Sequence, residues 1–296
     1  MSREYWFVTT AALLYGTIAA GGQFFINLGL SLFEVSLYRV LFISLILLPV
    51  VLVKKQYLIK RDALCFFMIY GLIGAFLELT QFAGIALGVP VAIVVFLLYS
   101  QPVWTVPLAR LMLDEKITGR KILSVVIALL GLVVLIKPWD IKSFDSMAGV
   151  TCALLGGIFL SLWIIWGRKS GINDQHYLTT TIGWSGFSVI WLLLLWPITA
   201  LFIKEPSIIE LSLHSLADHW VNFLIFGFVA GVIPHLLFYR GMKNVQASIA
   251  GIILLLEPVS ATLLAKITFD QPIGLNVIWG GGLILISNYL IIREYK

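Results

Sequence analysis

Long apolar stretches separated by short polar ones make up almost the whole chain. Each runs about 17 to 25 residues, the length a helix needs to cross a hydrocarbon core. Bounded by charges, glycines and prolines, they fall near residues 5–28, 36–53, 63–85, 91–112, 121–137, 147–166, 178–202, 220–239, 247–267 and 273–292. Strands of a membrane barrel would alternate over shorter segments, and these do not. Backbone amides in lipid must be satisfied within each segment, so the pattern predicts an all-α integral membrane protein with ten transmembrane helices. The first stretch follows Arg3 and contains Ala19-Ala20-Gly21, which resembles a cleavage site. It continues through Phe24, Phe25 and Ile26, so it reads as a span and not as a leader.

The pattern also repeats. Gln101–Ile117 (QPVWTVPLARLMLDEKI) and Glu257–Ile273 (EPVSATLLAKITFDQPI) align 156 positions apart, with Pro102 on Pro258, Ala109 on Ala265, Arg110 on Lys266 and Asp114 on Asp270. Gly71-xxx-Ala75 and Gly227-xxx-Gly231 share that offset. It covers five spans, an odd number, so the second copy enters the membrane from the other side. This predicts two inverted five-helix repeats, residues 1–146 and 147–296, the commonest signature of a secondary transporter.

Charge orients them. With both termini cytoplasmic, fifteen of the 20 lysines and arginines lie inside, and only Arg39, Lys137, Lys142, Lys204 and Lys266 lie outside. The segment from Arg110 to Lys121 is rich in cations, whereas its repeat counterpart, Lys266 to Asn276, is nearly stripped of them. The net charge of +5 therefore reports topology and not a nucleic-acid partner. Hydrophobic content of 60% against 12% charged leaves too little polar surface for a water-soluble globule. The expected location is the plasma membrane, spanned many times. Cys65 and Cys152 lie in apolar segments as packing residues, and neither a metal site nor a cofactor is expected. HExxH, GxSxG and Walker A motifs are absent, so neither enzymatic chemistry nor ATP-driven transport is expected.

Intramembrane polar groups are costly and mark candidate sites. Pro102 and Pro258 lie mid-span and free the carbonyls of Leu98 and Leu254, predicting broken helices at matching points of the two halves. Glu257 precedes the second proline where the first copy has Gln101. A carboxyl group there suits coupling to a proton or cation, or structural hydrogen bonding between helices. Glu78 and Gln81 share a face of span three. Arg39 near the end of span two would pair with Glu78, or the two would hold a substrate carboxylate or amine. His235, beside Pro234, is the intramembrane histidine, a titrating or a packing group. Tyr99, Trp104, Trp163 and Tyr239 sit deep enough to offer rings to an amine or simply to pack, whereas Trp6, Trp139 and Trp220 read as interface anchors. Between spans seven and eight, Ser207 and Glu210 form a capping-box pattern followed by Leu211, Leu213 and Leu216, a short amphipathic interface helix or an ordinary loop. The small-residue pairs and Gly280-Gly281-Gly282 permit close helix approach, within the bundle or in a homodimer.

These residues resemble the drug/metabolite transporter superfamily and, within it, the ten-helix EamA family. The resemblance covers almost the whole chain as two consecutive EamA-type repeats. It is carried by Gln101-Pro102-Val103 through Leu113-Asp114-Glu115-Lys116-Ile117, by Leu256-Glu257-Pro258-Val259 through Asp270-Gln271, and by Tyr15-Gly16 through Tyr38-Arg39. In the family the fourth and ninth helices usually finish with a glutamate; Glu115 matches and Gln271 departs. The resemblance implies a basket of ten helices around a cavity lined by helices one, three, four, six, eight and nine, working by alternating access. It implies a metabolite substrate, often moved outward. The four-helix multidrug relatives exchange protons on a first-helix glutamate, and span one here has none.

The reading is a secondary active transporter of a small metabolite, an amino acid or related compound, in the direction of export. An uptake carrier for an organic cation such as choline is the alternative. A polytopic lipid-modifying enzyme would have only His214, Asp218 and His219 at headgroup level to draw on.

Overall fold

The computed structural model describes residues 3–140, 146–270 and 273–294. Lys142, Gln271 and Lys296, used above for orientation and family pattern, lie outside the described residues. The helices are α1 (Arg3–Asn27), α2 (Leu32–Val53), α3 (Leu64–Ala86), α4 (Val91–Tyr99), α5 (Pro102–Leu113), α6 (Gly119–Ile136), α7 (Met147–Ile172), α8 (Tyr177–Phe202), the single turn α9 (Pro206–Ile209), α10 (Leu213–Phe226), α11 (Ile233–Met242), α12 (Ala247–Leu254), α13 (Leu256–Phe269) and α14 (Leu275–Glu294). A π-helical stretch, Gly227–Val232, joins α10 to α11. Nine helical stretches among the described residues are long and apolar enough to cross a membrane. α1, at 25 residues, is long enough but less apolar.

Local chemistry sets the boundaries. α2 begins four residues before the predicted span, because Ser31 accepts from the Glu34 amide while the Glu34 carboxylate accepts from the Ser31 amide. The interface-helix pattern is shifted as well. Ser212, not Ser207, caps α10 by accepting from His214 N and Ser215 N, and the helix kinks at His219 before entering the span. α5 and α13 both stop at an aspartate in the left-handed region, Asp114 at φ 55° and Asp270 at φ 52°. These positions coincide in the repeat, so the two copies end their fourth and ninth spans by the same backbone turn.

Helix pairing reads the same with the two halves exchanged. α1 packs on α11 and α13, as α7 packs on α3, α4 and α5; α2 meets α8, and α6 meets α14. At the α6–α14 crossing backbone meets backbone. A Cβ on Gly280 would sit 2.5 Å from the Gly131 carbonyl oxygen, and one on Gly131 would sit 2.7 Å from that of Gly280. Gly16 is similarly constrained against α13, where a Cβ would fall 2.2 Å from Ser260 Oγ and 2.6 Å from the Ala261 amide nitrogen. Backbone cannot retreat as a side-chain tip can, so Gly16→Ala is expected to destabilise the fold by about 1 to 3 kcal/mol. Thermal unfolding in detergent checks this; an unshifted melting point would mean that α1 and α13 slide apart freely.

Candidate functional site

Between the helices lies a cavity of ≈ 390 Å³. Its rim carries the exposed residues Gln23, Ile26 and Val91, at the ends of α1 and α4 remote from the N-terminus. Its floor is made of Tyr15, Trp163, Trp184 and His235, each no more than 4% exposed. The hollow therefore opens toward one face only. Spans one, three, four, six, eight and nine contribute, with α2 (through Ser36 and Arg39) and α8 (through Trp184) added to them.

The prolines shape this hollow. α4 ends at Tyr99 and α5 starts on Pro102, leaving a break at Ser100 and Gln101. α12 ends at Leu254 and α13 starts at Leu256, with Pro258 in its first turn. Leu98 and Leu254, whose carbonyls the prolines release, both border the cavity. The two breaks are finished differently. In the first, Gln101 is fully buried and donates to the Gly251 carbonyl at 2.6 Å, while its own carbonyl accepts from Ser161 Oγ at 2.8 Å and Thr105 Oγ1 at 2.9 Å. Gln101 thus ties α5 to α7 and α12 and does not line the cavity. In the second, Glu257 takes the matching position and does line it, in the first turn of α13, where the helix dipole favours a negative group. Tyr99 borders the same cavity and places its hydroxyl beside that carboxylate.

The other charged lining residues neutralise each other. Arg39 Nη2 lies 2.7 Å from Glu78 Oε1, and Ser36 Oγ donates to Glu78 Oε2 at 2.9 Å. Gln81 lines the wall with its amide nitrogen bonded to the Leu77 carbonyl.

His235 sits in a box of rings: Trp184 stacks on it at 4.5 Å, and Tyr15 and Trp163 meet it edge-on at 5.0 and 5.8 Å. Its Nδ1 lies 2.7 Å from the Gly231 carbonyl oxygen, inside the π-helical stretch. A carbonyl can only accept, so Nδ1 carries the hydrogen and Nε2 is left for other partners. Gly227 and Gly231 let the π-helical stretch, which ends just before Pro234, lie against Phe42 and Ile43 of α2, where a Cβ would come within 2.6 and 2.4 Å.

Behind the floor, the Tyr70 hydroxyl lies 2.8 Å from that of Tyr239 and 3.0 Å from the Trp163 carbonyl oxygen. Phe238 stacks on Trp163 at 4.9 Å. Tyr239 therefore belongs to the plug that closes the hollow and not to its lining. Trp104 also lies off the cavity. Of the residues singled out in the sequence, Glu257, Glu78, Gln81, Arg39, His235, Tyr99 and Trp163 come together here, and Gln101, Trp104 and Tyr239 do not. Tyr15, Trp184 and Tyr70 went unselected; each is a ring deep in an apolar span, a signal too common to separate site from packing.

Two buried carboxylates brace the ends of the bundle. Glu115 receives Ala247 N at 2.6 Å, Ser248 N at 3.1 Å and the Ser248 hydroxyl, closing the start of α12 on the cavity's shut side. Glu34 receives Ser212 N at 2.9 Å, and Tyr38 donates to the Ser212 carbonyl, joining α2 to α10 beside the open side. His214 and Asp218 pair at 3.3 Å, both well exposed, and neither borders the cavity.

The chain resembles an uncharacterized transporter of Clostridium kluyveri at 26% identity, over 98% of this chain and 93% of that one. It is 22% identical to the S-adenosylmethionine uptake transporter of Rickettsia prowazekii, over 89% and 84% of the two chains. A solved crystal structure, 17% identical, superposes with a TM-score of 0.80 over 99% of this chain and 97% of that one, so the fold is shared. The EamA-like transporter family matches twice, over residues 2–137 and again over 147–293. A multi-pass helical bundle with a one-sided polar hollow at two broken helices, matched in both halves by one family, leaves a single assignment: the chain belongs to the EamA-like transporter family, a membrane transporter.

Proposed function

We propose that the protein is a secondary active transporter that moves a small metabolite, an amino acid or related compound, outward by alternating access. The observation that carries this is the cavity itself, polar at mid-bundle, open toward one face and shut by the Tyr70–Tyr239 contact toward the other. Two inverted units, residues 1–146 and 147–296, would rock about the broken helices. The double family match, the paired turns at Asp114 and Asp270 and the exchangeable helix pairing support that arrangement. With both termini cytoplasmic, as the charge bias favours, the described state faces outward. A second reading, uptake of an organic cation, draws support from the Rickettsia relative, an S-adenosylmethionine uptake transporter, and from Glu257 among aromatic rings.

Cysteine labelling tests this in a background lacking Cys65 and Cys152. Lys55→Cys should react with a membrane-impermeant maleimide from the cytoplasm and Lys204→Cys from outside; the reverse pattern overturns the orientation. Met242→Cys, fully buried on the shut side, should be inert at rest and become reactive from the cytoplasm while substrate is moving. Labelling that never changes with substrate would leave a static hollow and sink alternating access.

A further inference from the structure

The charged side chains bordering the cavity are Arg39, Glu78 and Glu257. Arg39 is engaged by Glu78, whose second oxygen takes the Ser36 hydroxyl, so this trio offers little net charge to a ligand. No lysine or arginine among the described residues forms an ion pair with Glu257. Glu257 is half-buried in the wall of the hollow with only the Tyr99 hydroxyl beside its carboxylate, and a ligand cation would supply the ion-pair partner it lacks. The rings of Tyr15, Tyr99, Trp163 and Trp184 line the same hollow and attract cations to their faces.

His235 narrows the class of cation. With Nδ1 committed to Gly231, Nε2 of the neutral ring is an acceptor, has no hydrogen-bond partner among the described residues and belongs to a ring that borders the cavity. An N–H cation satisfies it. A quaternary ammonium carries no hydrogen to give and would leave it unpaired beside the ligand, a loss that polar sites reject strongly. Three donors at the floor, Tyr15 OH, Trp163 Nε1 and Trp184 Nε1, are buried without partners and could be thought to invite an anion. Trp184 Nε1 faces Gly74, where a Cβ would lie 2.5 Å away, and the Tyr15 hydroxyl can accept as well as donate. Only Trp163 remains a pure donor, against the acceptor oxygens of Glu257 and Nε2 of His235.

We propose that the cavity floor binds the ammonium group of a protonated primary or secondary amine, held between the Glu257 carboxylate and Nε2 of His235, with no requirement for a substrate carboxylate. The inference rests on the carrier reading and adds the group that the carrier recognises.

Isothermal titration calorimetry on the full chain in nanodiscs tests it with 2-phenylethylamine, its N,N,N-trimethyl analogue and 3-phenylpropanoate, three ligands of one shape. The amine should bind, the trimethyl analogue about tenfold or more weakly, and the propanoate not at all. Glu257→Gln should weaken the amine about tenfold or more. His235→Phe keeps a ring in the box but removes Nε2, so it should abolish the preference for the amine, weakening the amine while the trimethyl analogue, no longer facing an unpaired acceptor, binds no more weakly than before. Retained binding of the analogue separates a lost contact from a damaged floor. Propanoate binding as well as the amine, equal Kd for amine and trimethyl analogue, indifference to both substitutions, or no binding of the amine would each overturn the assignment. Labelling at Met242→Cys does not depend on which of these ligands binds, so the carrier reading and the amine assignment fail separately.

Discussion

Glu257→Gln is expected to cut the transport rate by about 30- to 100-fold while leaving the melting temperature nearly unchanged. Glutamine has the shape of glutamate and can still meet the Tyr99 hydroxyl, so the packing of α13 against α1 survives. What it removes is the charge, and losing one partner of a desolvated charge contact costs about 2 kcal/mol or more, which corresponds to the rate loss given. The comparison with Glu78→Gln sharpens the test. That change strips Arg39, only 5% exposed, of its ion-pair partner, so its damage should appear first in stability and only then in flux. Efflux from proteoliposomes, loaded with a solute found by thermal-shift screening of amino acids and amines, measures both. An unchanged rate and pH profile for Glu257→Gln would remove this carboxylate from the mechanism.

The architecture was largely legible in the sequence because lipid enforces it. Span length and short polar connections follow from one physical demand, that no backbone polar group be left bare in hydrocarbon, and a repeated mid-span proline stands out because it breaks that demand. The breaks at Pro102 and Pro258 could be read for the same reason. What a single chain position could not reveal was direction around the helix axis. Gln101 and Glu257 occupy equivalent places in the repeat, yet Gln101 is consumed by Gly251 and Glu257 faces the hollow. The amide of Gln101 can donate to a backbone carbonyl on a neighbouring helix, which the carboxylate of Glu257 cannot do. The π-helical turn was hidden for another reason: its glycines lie against Phe42 and Ile43 on a different helix, a contact no local pattern contains. Its consequence, the fixed His235 tautomer, was therefore hidden too.

Glu115→Ala should be the most damaging single change to stability away from the cavity, at about 3 to 5 kcal/mol. The carboxylate is 8% exposed and takes Ala247 N, Ser248 N and the Ser248 hydroxyl, so alanine leaves the first turn of α12 uncapped, a loss of about 1 kcal/mol by itself. A further share comes from Lys121. Its ammonium lies 3.9 Å from Glu115 Oε2, is completely buried, and also meets the Lys116 carbonyl and Gln246 Oε1, so alanine removes a negative partner from a buried cation. Because large membrane proteins often unfold irreversibly, the half-life of the folded form at fixed temperature is the proper readout, alongside the apparent melting point. Pairing Glu115→Ala with Lys121→Met separates the two contributions: removing both charges should recover most of the stability that removing one had cost. A double variant no more stable than Glu115→Ala alone would place the whole loss in the helix cap, and Lys121 would then be an onlooker in the closure of that face.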